Sequence, residues 1–300
     1  MLKIAFDSLY NHPLPLGHRF PMVKYELIHD QLLYEGIAEP HNFFKPEEIR
    51  EQFITLAHDH TYWERLKTLR LSPQEIRRTG FTLSSRLVQR EVRIVQGTMQ
   101  ACDFALENGI AFNIAGGTHH AGSNWGEGFC LLNDQAIAAH YLLHQQKAKK
   151  VLIVDLDVHQ GNGTAEIFRN VPEVFTFSIH SQRNFPFRKE QSDLDIGLDD
   201  GVEDEIYLEI LKKHIEPLIH RINPDFVFYL SGVDVLATDK LGWLNLTKEG
   251  CQLRDEVIFE ACRKFGLPVQ VSMGGGYSPH IKDIVDAHCN TFKAAINSLF

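Results

Sequence analysis

Residues 151–162, VLIVDLDVHQGN, decide how this chain should fold. An apolar, β-branched run ends there in two aspartates and a histidine at alternating positions. Because side chains at i, i+2 and i+4 of a strand share one face, Asp155, Asp157 and His159 can point at one spot. Two carboxylates and an imidazole on one face suit a divalent metal. The stretch predicts a buried strand that ends in a metal site, and solvated polar residues at a strand end are the ordinary alternative.

Similar apolar runs of strand length recur along the chain. They occupy residues 2–6, 111–115, 174–179, 226–232 and 269–273. Helix-like segments lie between them, with predicted starts at the capping box of Ser72 and Glu75, at Asp200 with Glu203, and at Thr247. Apolar strands separated by helix-length connections predict an α/β fold, in which helices cover both faces of a mostly parallel sheet. One domain over residues 1–300 is the simplest organisation.

Composition limits the classes of function. The chain has 300 residues, 44% hydrophobic content and a net charge of −9, which argues against direct nucleic-acid binding. Its five cysteines form no C-x-x-C pair, which suits a reducing compartment. There is no signal-peptide pattern and no apolar run long enough to span a membrane. We therefore expect a cytoplasmic protein.

Polar clusters follow the predicted strands. They are Gly116-Gly117-Thr118-His119-His120, the Asp157 and His159 pair, His180, Asp234, and Gly274-Gly275-Gly276-Tyr277. Open α/β sheets bind ligands at the carboxyl ends of their strands, so five strand ends are predicted to meet at one crevice. Each cluster alone has an ordinary interpretation: Asp234 as a cap, His180 as a structural residue, and the glycines as a plain turn.

Together these motifs resemble the histone deacetylase family. The matching segments are GGTHHAGSNWGEGFCLLND at 116–134, DLDVHQGNGT at 155–164, SIH at 178–180, SGVDVL at 231–236, LGWLNLT at 241–247 and SMGGGYS at 272–278. GHRFPM at 17–22 extends the match and, with GGTHHA and HQGNGT, is most similar to class IV deacetylases and their bacterial relatives. The resemblance implies an arginase/deacetylase-like fold and zinc-dependent removal of acyl groups from lysine side chains of proteins or peptides.

The resemblance also implies roles for individual residues. Asp157, His159 and Asp234 would hold one Zn²⁺ per chain, which leaves positions for a nucleophilic water and the substrate carbonyl. The catalytic residues would be His119, His120, Tyr277, Asp155 and Asn162. His120 would move the proton from water to the leaving amine, while Tyr277 would stabilise the tetrahedral oxygen. His119, oriented by Asp155, would give electrostatic support or share the proton transfer.

Substrate and ion contacts follow from the same resemblance. Gly128 and Phe129 would line the acyl-lysine tunnel, with Phe185 or Phe187 as the opposite wall, and Gly275 would bring backbone close to the ligand. A structural K⁺ would be held by Asp155, Asp157, His159, Ser178 and Ile179. His12, His18 and Arg19 would belong either to the rim or inner cavity or to the scaffold.

Asn162 departs from the aspartate that class I members more usually carry at this place. It is expected behind His120, where its amide oxygen can accept the imidazole N–H but lacks a full negative charge. The sequence therefore predicts altered pH dependence rather than loss of function.

Three alternatives stay open. An arginase-type enzyme would need a second metal, with carboxylates at the positions that Gly161 and Gly232 occupy. An acetylpolyamine amidohydrolase would use nearly the same residues on a small cationic substrate. A non-catalytic binding protein would lack a ligand or the tyrosine, and all are present here. Acyl groups from acetyl to long fatty chains are compatible with the sequence, and the oligomeric state is open.

Overall fold

The computed structural model describes residues 1–48 and 51–299. Within these ranges, the strands are β1 (Lys3–Ala5), β2 (Phe43–Phe44), β3 (Ile110–Asn113), β4 (Val151–Asp155), β5 (Val174–Ser181), β6 (Leu194–Leu198), β7 (Phe226–Leu230) and β8 (Val269–Ser272). The α-helices are α1 (Lys24–Tyr34), α2 (Ile54–Ala57), α3 (His60–Lys67), α4 (Pro73–Thr79), α5 (Ser85–Asn108), α6 (Asp134–His144), α7 (Asn162–Phe168), α8 (Asp204–Ile222), α9 (Lys248–Phe265) and α10 (Ile281–Leu299). The predicted α/β class is confirmed.

The strands form one sheet in the order β2-β1-β3-β8-β7-β4-β5-β6, and every described pair is parallel. All six predicted strands are present, and β3, β4, β7 and β8 are buried along their whole length. Sequence reasoning missed β2 and β6, which lie at the two edges. β2 has two residues, and Asp195 and Gly197 interrupt the apolar pattern of the partly exposed β6.

Helix starts follow local capping. Ser72 accepts a hydrogen bond from the Glu75 amide and Thr247 accepts one from Gly250, so these two predicted starts are confirmed. The predicted start at Asp200 is wrong, because the chain turns at Gly201 with a φ of +77° and α8 begins at Asp204.

Helices form two layers around the sheet. In one set α8 packs on α9, α9 on α10, and α10 on α1. In the other set α5 packs on α6 and α3, and α2 on α6. Each layer buries one face of the apolar strands, as a parallel sheet requires. Within residues 1–48 and 51–299, no helix is long and apolar enough to cross a membrane.

Candidate active site

The site lies at the carboxyl ends of β3, β8, β7 and β4, which are consecutive in the sheet. The loops after them carry the histidine pair, the glycine-rich loop with Tyr277, Asp234, and the pair Asp157 and His159. Four of the five predicted strand ends therefore meet. His180, on β5, instead shares a 2.9 Å hydrogen bond between its Nδ1 and Ser178 Oγ, and it lines neither site cavity.

The loop after β4 is built by two successive Asx turns. Asp155 Oδ1 accepts the Asp157 amide at 3.1 Å, and Asp157 Oδ1 accepts the His159 amide at 2.9 Å. The strand itself ends at Asp155. The alternating acidic residues therefore create the turn that presents them, and the extended backbone expected through His159 ends at Asp155.

Asp157, His159 and Asp234 form one buried cluster that could hold a metal ion. His159 Nδ1 lies 3.1 Å from Asp157 Oδ1 and 3.2 Å from Asp234 Oδ2. Donors on one tetrahedral zinc at about 2.0–2.1 Å would lie roughly 3.3 Å apart. Among the described residues, Asp234 Oδ2 has no partner in hydrogen-bond geometry although it is fully buried. The donor set and this unsatisfied oxygen fit a divalent cation.

The charges of the cluster also favour a cation. Burial, followed by the charge of Asp157, raises the pKa of Asp234 to about 7. Two carboxylates in one dry space repel each other unless a positive charge lies between them. Binding of Zn²⁺ would remove this penalty.

His119 and His120 have opposite electrostatic surroundings. His119 Nδ1 lies 2.7 Å from Asp155 Oδ2. Burial alone would lower its pKa, but the carboxylates of Asp155 and Asp157 outweigh that effect and raise the pKa to about 9. Burial and the neighbouring imidazoles of His119 and His159 hold the pKa of His120 well below its ordinary value. His119 therefore favours the cation and His120 the neutral base.

A chain of hydrogen bonds runs from His120 to the protein surface at Arg78. His120 Nδ1 lies 2.7 Å from Asn162 Oδ1, where the sequence analysis expected this contact. Asn162 Nδ2 donates to Glu127 Oε1 at 2.6 Å, and Arg78 Nε donates to Glu127 Oε2 at 2.6 Å. With Nδ1 bonded to the amide oxygen, the Nε2 atom of His120 is the one free to act as a base.

Tyr277 follows a glycine-rich loop with an unusual backbone. Gly275 and Gly276 have φ values of +57° and +92°, and a side chain at Gly275 would collide with the carboxylate of Asp234. Lys24, which is fully buried, donates a hydrogen bond to the Gly275 carbonyl. Burial, then the charges of Asp234 and Asp157, raise the pKa of Tyr277 well above its ordinary value. Its hydroxyl therefore stays protonated and can donate.

An aromatic passage leads to the cluster. Phe129 and Gly128 are held by amide hydrogen bonds to the Thr79 and Arg78 carbonyls at 2.8 and 3.2 Å. Phe185, the first of the two candidates for the opposite wall, lies 4.9 Å from His120, measured between ring centres. Phe187 lies further out on the rim and is 83% exposed.

Two spaces border this passage and share part of their walls. An outer cavity has a volume of about 450 Å³. Its lining includes Phe129, Phe185, Phe187, His120, His159 and Tyr277. An inner cavity of about 40 Å³ lies behind Tyr277 and includes Phe20, Lys24, Gly275 and Met273 in its wall. The inner space is thus much smaller than the entrance.

Gly161 and Gly232 leave no room for a second set of metal ligands. A Cβ atom at Gly232 would lie 2.6 Å from Asp157 Cα, and one at Gly161 would collide with the carboxylate of Asp155. Any carboxylate side chain at these positions would displace the residues of the cluster. The carboxylates that the arginase alternative needs at these two positions would therefore collide with the present side chains and backbone.

The N-terminal residues divide between rim and scaffold. His18 Nε2 lies 2.9 Å from the Gly80 carbonyl, its ring stacks on Phe81, and Arg19 lies 5.9 Å from the Phe129 ring centre. Arg19 lines the outer cavity, whereas His12 is buried and lines neither cavity. Ser178 pairs with Asp155 in the sheet register, and the K⁺ site around them stays a prediction.

Sequence reasoning missed three residues that support the site. They are Lys24 beneath the glycine-rich loop, Glu127 behind Asn162, and Asp239, whose carboxylate accepts the Tyr277 amide at 2.5 Å. Glu127 lies inside the GGTHHAGSNWGEGFCLLND motif at 116–134, so its place in that motif was a usable signal. Lys24 and Asp239 act through tertiary contacts that no local pattern contains.

Comparisons with known proteins agree with this geometry. The sequence profile of the histone deacetylase domain matches residues 18–292. The chain is 44% identical over 292 residues to an uncharacterized protein of Picosynechococcus sp., with 97% of each chain covered. It is 27% identical over 304 residues to histone deacetylase 1 of Homo sapiens, covering 93% of this chain and 61% of that one. The crystal structure of the HDA15 HD domain matches with a TM-score of 0.83 at 22% identity, covering 99% of this chain and 88% of that one, which shows a common fold.

Proposed function

The chain belongs to the histone deacetylase family, and from this premise we propose that it is a zinc-dependent amidohydrolase that removes short acyl groups, above all acetyl, from lysine side chains of proteins or peptides. One observation carries the proposal. A buried Asp157-His159-Asp234 cluster lies beside a neutral histidine and a protonated tyrosine, at the inner end of an aromatic passage.

Asp157, His159 and Asp234 would hold the metal. Zn²⁺, when bound, supplies a Lewis acid that polarises a carbonyl and lowers the pKa of water. One ion per chain is supported by Gly161 and Gly232, where carboxylates for a second ion have no room.

His120 would act as the base. Its Nε2 would accept a proton from the attacking water and deliver it to the nitrogen of the leaving lysine, so that a neutral amine departs. The low pKa of His120 keeps it ready to accept that proton at neutral pH. His119, held by Asp155, would give electrostatic support to the negative charge that develops on the substrate.

Tyr277 would donate its hydroxyl proton in a hydrogen bond to the substrate carbonyl oxygen. This bond strengthens as the oxygen gains negative charge, so it favours the transition state over the bound substrate. Lys24, through the Gly275 carbonyl, would hold the loop that positions the hydroxyl.

The size of the inner cavity supports a preference for acetyl. A water-sized group needs about 10–15 Å³ of such space, so 40 Å³ accommodates about three of them. The methyl of an acetyl group fits, whereas an octanoyl or myristoyl chain would require the wall at Lys24 and Phe20 to move. We therefore propose Gly128, Phe129 and Phe185 as the walls for the lysine stem, with Phe187 at the rim.

Three finer assignments belong to the same proposal. The GHRFPM segment supports a class IV-like member, the continuous sheet supports a single catalytic domain over residues 1–300, and Asp155 with Ser178 supports a structural K⁺.

The test is a chain-length series. Purified protein reconstituted with Zn²⁺ would be assayed on one lysine peptide carrying acetyl, octanoyl or myristoyl, beside an Asp157→Asn control. We expect acetyl to be removed fastest and the control to lose activity. No hydrolysis by the zinc-loaded protein, or full activity of the control, would overturn the proposal, while faster removal of myristoyl would overturn only the acyl preference.

A further inference from the structure

The rim of the outer cavity is basic although the chain carries a net charge of −9. Arg19, Arg77, Arg78 and Lys240 line the cavity, and no aspartate or glutamate does so among the described residues. All four side chains are exposed. An acidic protein thus surrounds its candidate active site with positive charge.

Three of these cations are free to meet a ligand. Arg78 forms an ion pair with Glu127, with 2.6 Å between Nε and Oε2, and its guanidinium carbon lies 4.8 Å from the Trp125 ring centre. In the part of the chain that the structure describes, Arg19, Arg77 and Lys240 have no carboxylate within ion-pair distance. Their charges are therefore not neutralised by the protein itself.

Acidic groups near the rim have partners of their own. Glu75, two residues before Arg77, pairs with Arg65 at 2.8 Å. The Asp239 carboxylate accepts the amides of Leu241, Gly242 and Tyr277 and faces inward. Asp200, which follows β6, pairs with Arg183 at 2.8 Å. Among the described residues, those that line the mouth of the cavity thus carry positive charges and no carboxylate, and such a lining attracts anionic substrates and repels cationic ones.

The rim also offers apolar surface for a peptide. Phe187 is 83% exposed and Trp243 is 41% exposed, and both line the same cavity as the free cations. Aromatic side chains beside unpaired arginines suit an extended peptide that carries carboxylates.

Building on the proposed function, we propose that the preferred substrate is an acyl-lysine flanked by aspartate and glutamate residues. Arg19, Arg77 and Lys240 bind the flanking carboxylates, while the acylated side chain enters between Phe129 and Phe185. The same charges disfavour basic peptides and acetylated polyamines. The rim thereby distinguishes substrates that the catalytic residues alone would hydrolyse at similar rates.

The test uses three acetyl-lysine peptides that differ only at the two residues on each side of the lysine, which are acidic, neutral or basic. Rates and dissociation constants, the latter by fluorescence anisotropy, are measured at low and high NaCl. We expect kcat/KM for the acidic peptide to exceed that for the basic one by about 10-fold at low salt and to approach it at high salt. Equal values, or a preference for the basic peptide or for acetylspermidine, would overturn the inference.

Charge-reversal variants locate the effect. In the double variant Arg77→Glu with Lys240→Glu, the ratio of acidic to basic kcat/KM should fall at least 3-fold, since two cations become anions. Lys212→Glu, on the exposed side of α8 and outside the rim, should leave the ratio unchanged. If no peptide is hydrolysed, the proposed function fails, and the ratio of dissociation constants decides the charge preference separately.

Discussion

Replacing Asn162 with aspartate tests how the protein sets the basicity of His120. The amide has two tasks, because its oxygen lies 2.7 Å from His120 Nδ1 and its nitrogen donates to Glu127 Oε1 at 2.6 Å. An aspartate can perform only the first task. Its second oxygen would face the Glu127 carboxylate, and two carboxylates at this distance share a proton rather than both ionise.

The magnitude follows from these contacts. Asn162→Asp loses the amide donor to Glu127, and a proton must instead be taken up between the two carboxylates, so its free energy of unfolding at neutral pH should fall by about 1.5–3 kcal/mol. Adding Glu127→Gln should recover most of this loss, because the glutamine amide can donate to the new carboxylate. In the double variant a full negative charge lies beside His120, and such a charge raises a pKa by about 1–3 units.

The sign for catalysis follows from the role of His120. A general base must be neutral, so kcat/KM falls as the pH drops below its pKa. A raised pKa therefore moves the acidic limb of the profile to higher pH, by about 1–3 units in the double variant and by less in Asn162→Asp alone. Glu127→Gln alone should leave the limb near its original position.

The assay is kcat/KM for an acetyl-lysine peptide across pH, with unfolding followed in urea. The same acidic limb in the wild type and the folded double variant would refute the assignment of His120 as the base. A single variant that is as stable as the wild type would refute the stated role of Glu127.

Three further outcomes are expected. Asp234→Asn should lower the metal content measured by elemental analysis well below one ion per chain and abolish hydrolysis, while Asn245→Asp, at an exposed position, should change neither. Tyr277→Phe should keep its metal and lower kcat by about 100- to 1,000-fold, since one donor to the substrate oxygen is lost; an unchanged kcat would contradict that role. Lys24→Met should lower kcat by about 10- to 100-fold, because the Gly275 carbonyl loses the donor that holds the loop in place. Rescue of kcat by Lys24→Arg would support positioning, and a wild-type rate in Lys24→Met would contradict it.

The features that could be predicted are those determined by residues close together in the sequence. The apolar runs of β4 and β7 have no other stable place than a covered parallel sheet, and the capping box at Ser72 specifies a helix start in a few residues. The edge strands could not be found, since β2 depends on pairing with β1 and β6 carries Asp195 and Gly197 on a half-exposed strand. Tertiary pairing, rather than propensity, makes them strands.

In the site, too, the contacts that follow from local sequence and sheet order could be predicted, and the contacts between distant segments could not. His119 and His120 lie together because they are adjacent in the chain. Sheet order brings Asp234 to Asp157 and His159, because β7 is the neighbour of β4. Lys24 reaches Gly275 across most of the chain, and nothing in the sequence around residue 24 marks it as a buried cation.

The alternation of Asp155, Asp157 and His159 led to the right site although the backbone is not a continuous strand there. Asp155 and Asp157 each accept the amide two residues further along the chain. The two-residue spacing that suggested one face of a strand is therefore the spacing of successive Asx turns. The turns also give the two aspartates different contacts. The Asp155 carboxylate, at the end of the strand, contacts His119, and the Asp157 carboxylate contacts His159.

Because an Asx turn needs a side-chain acceptor at each step, replacing Asp155 with alanine should disturb both the His119 contact and the position of Asp157. Asp155→Asn, which keeps an acceptor, should retain the metal and lose mainly the charge that raises the pKa of His119. Metal content that falls equally in both variants would show that the charge of Asp155, rather than its turn, holds the cluster together.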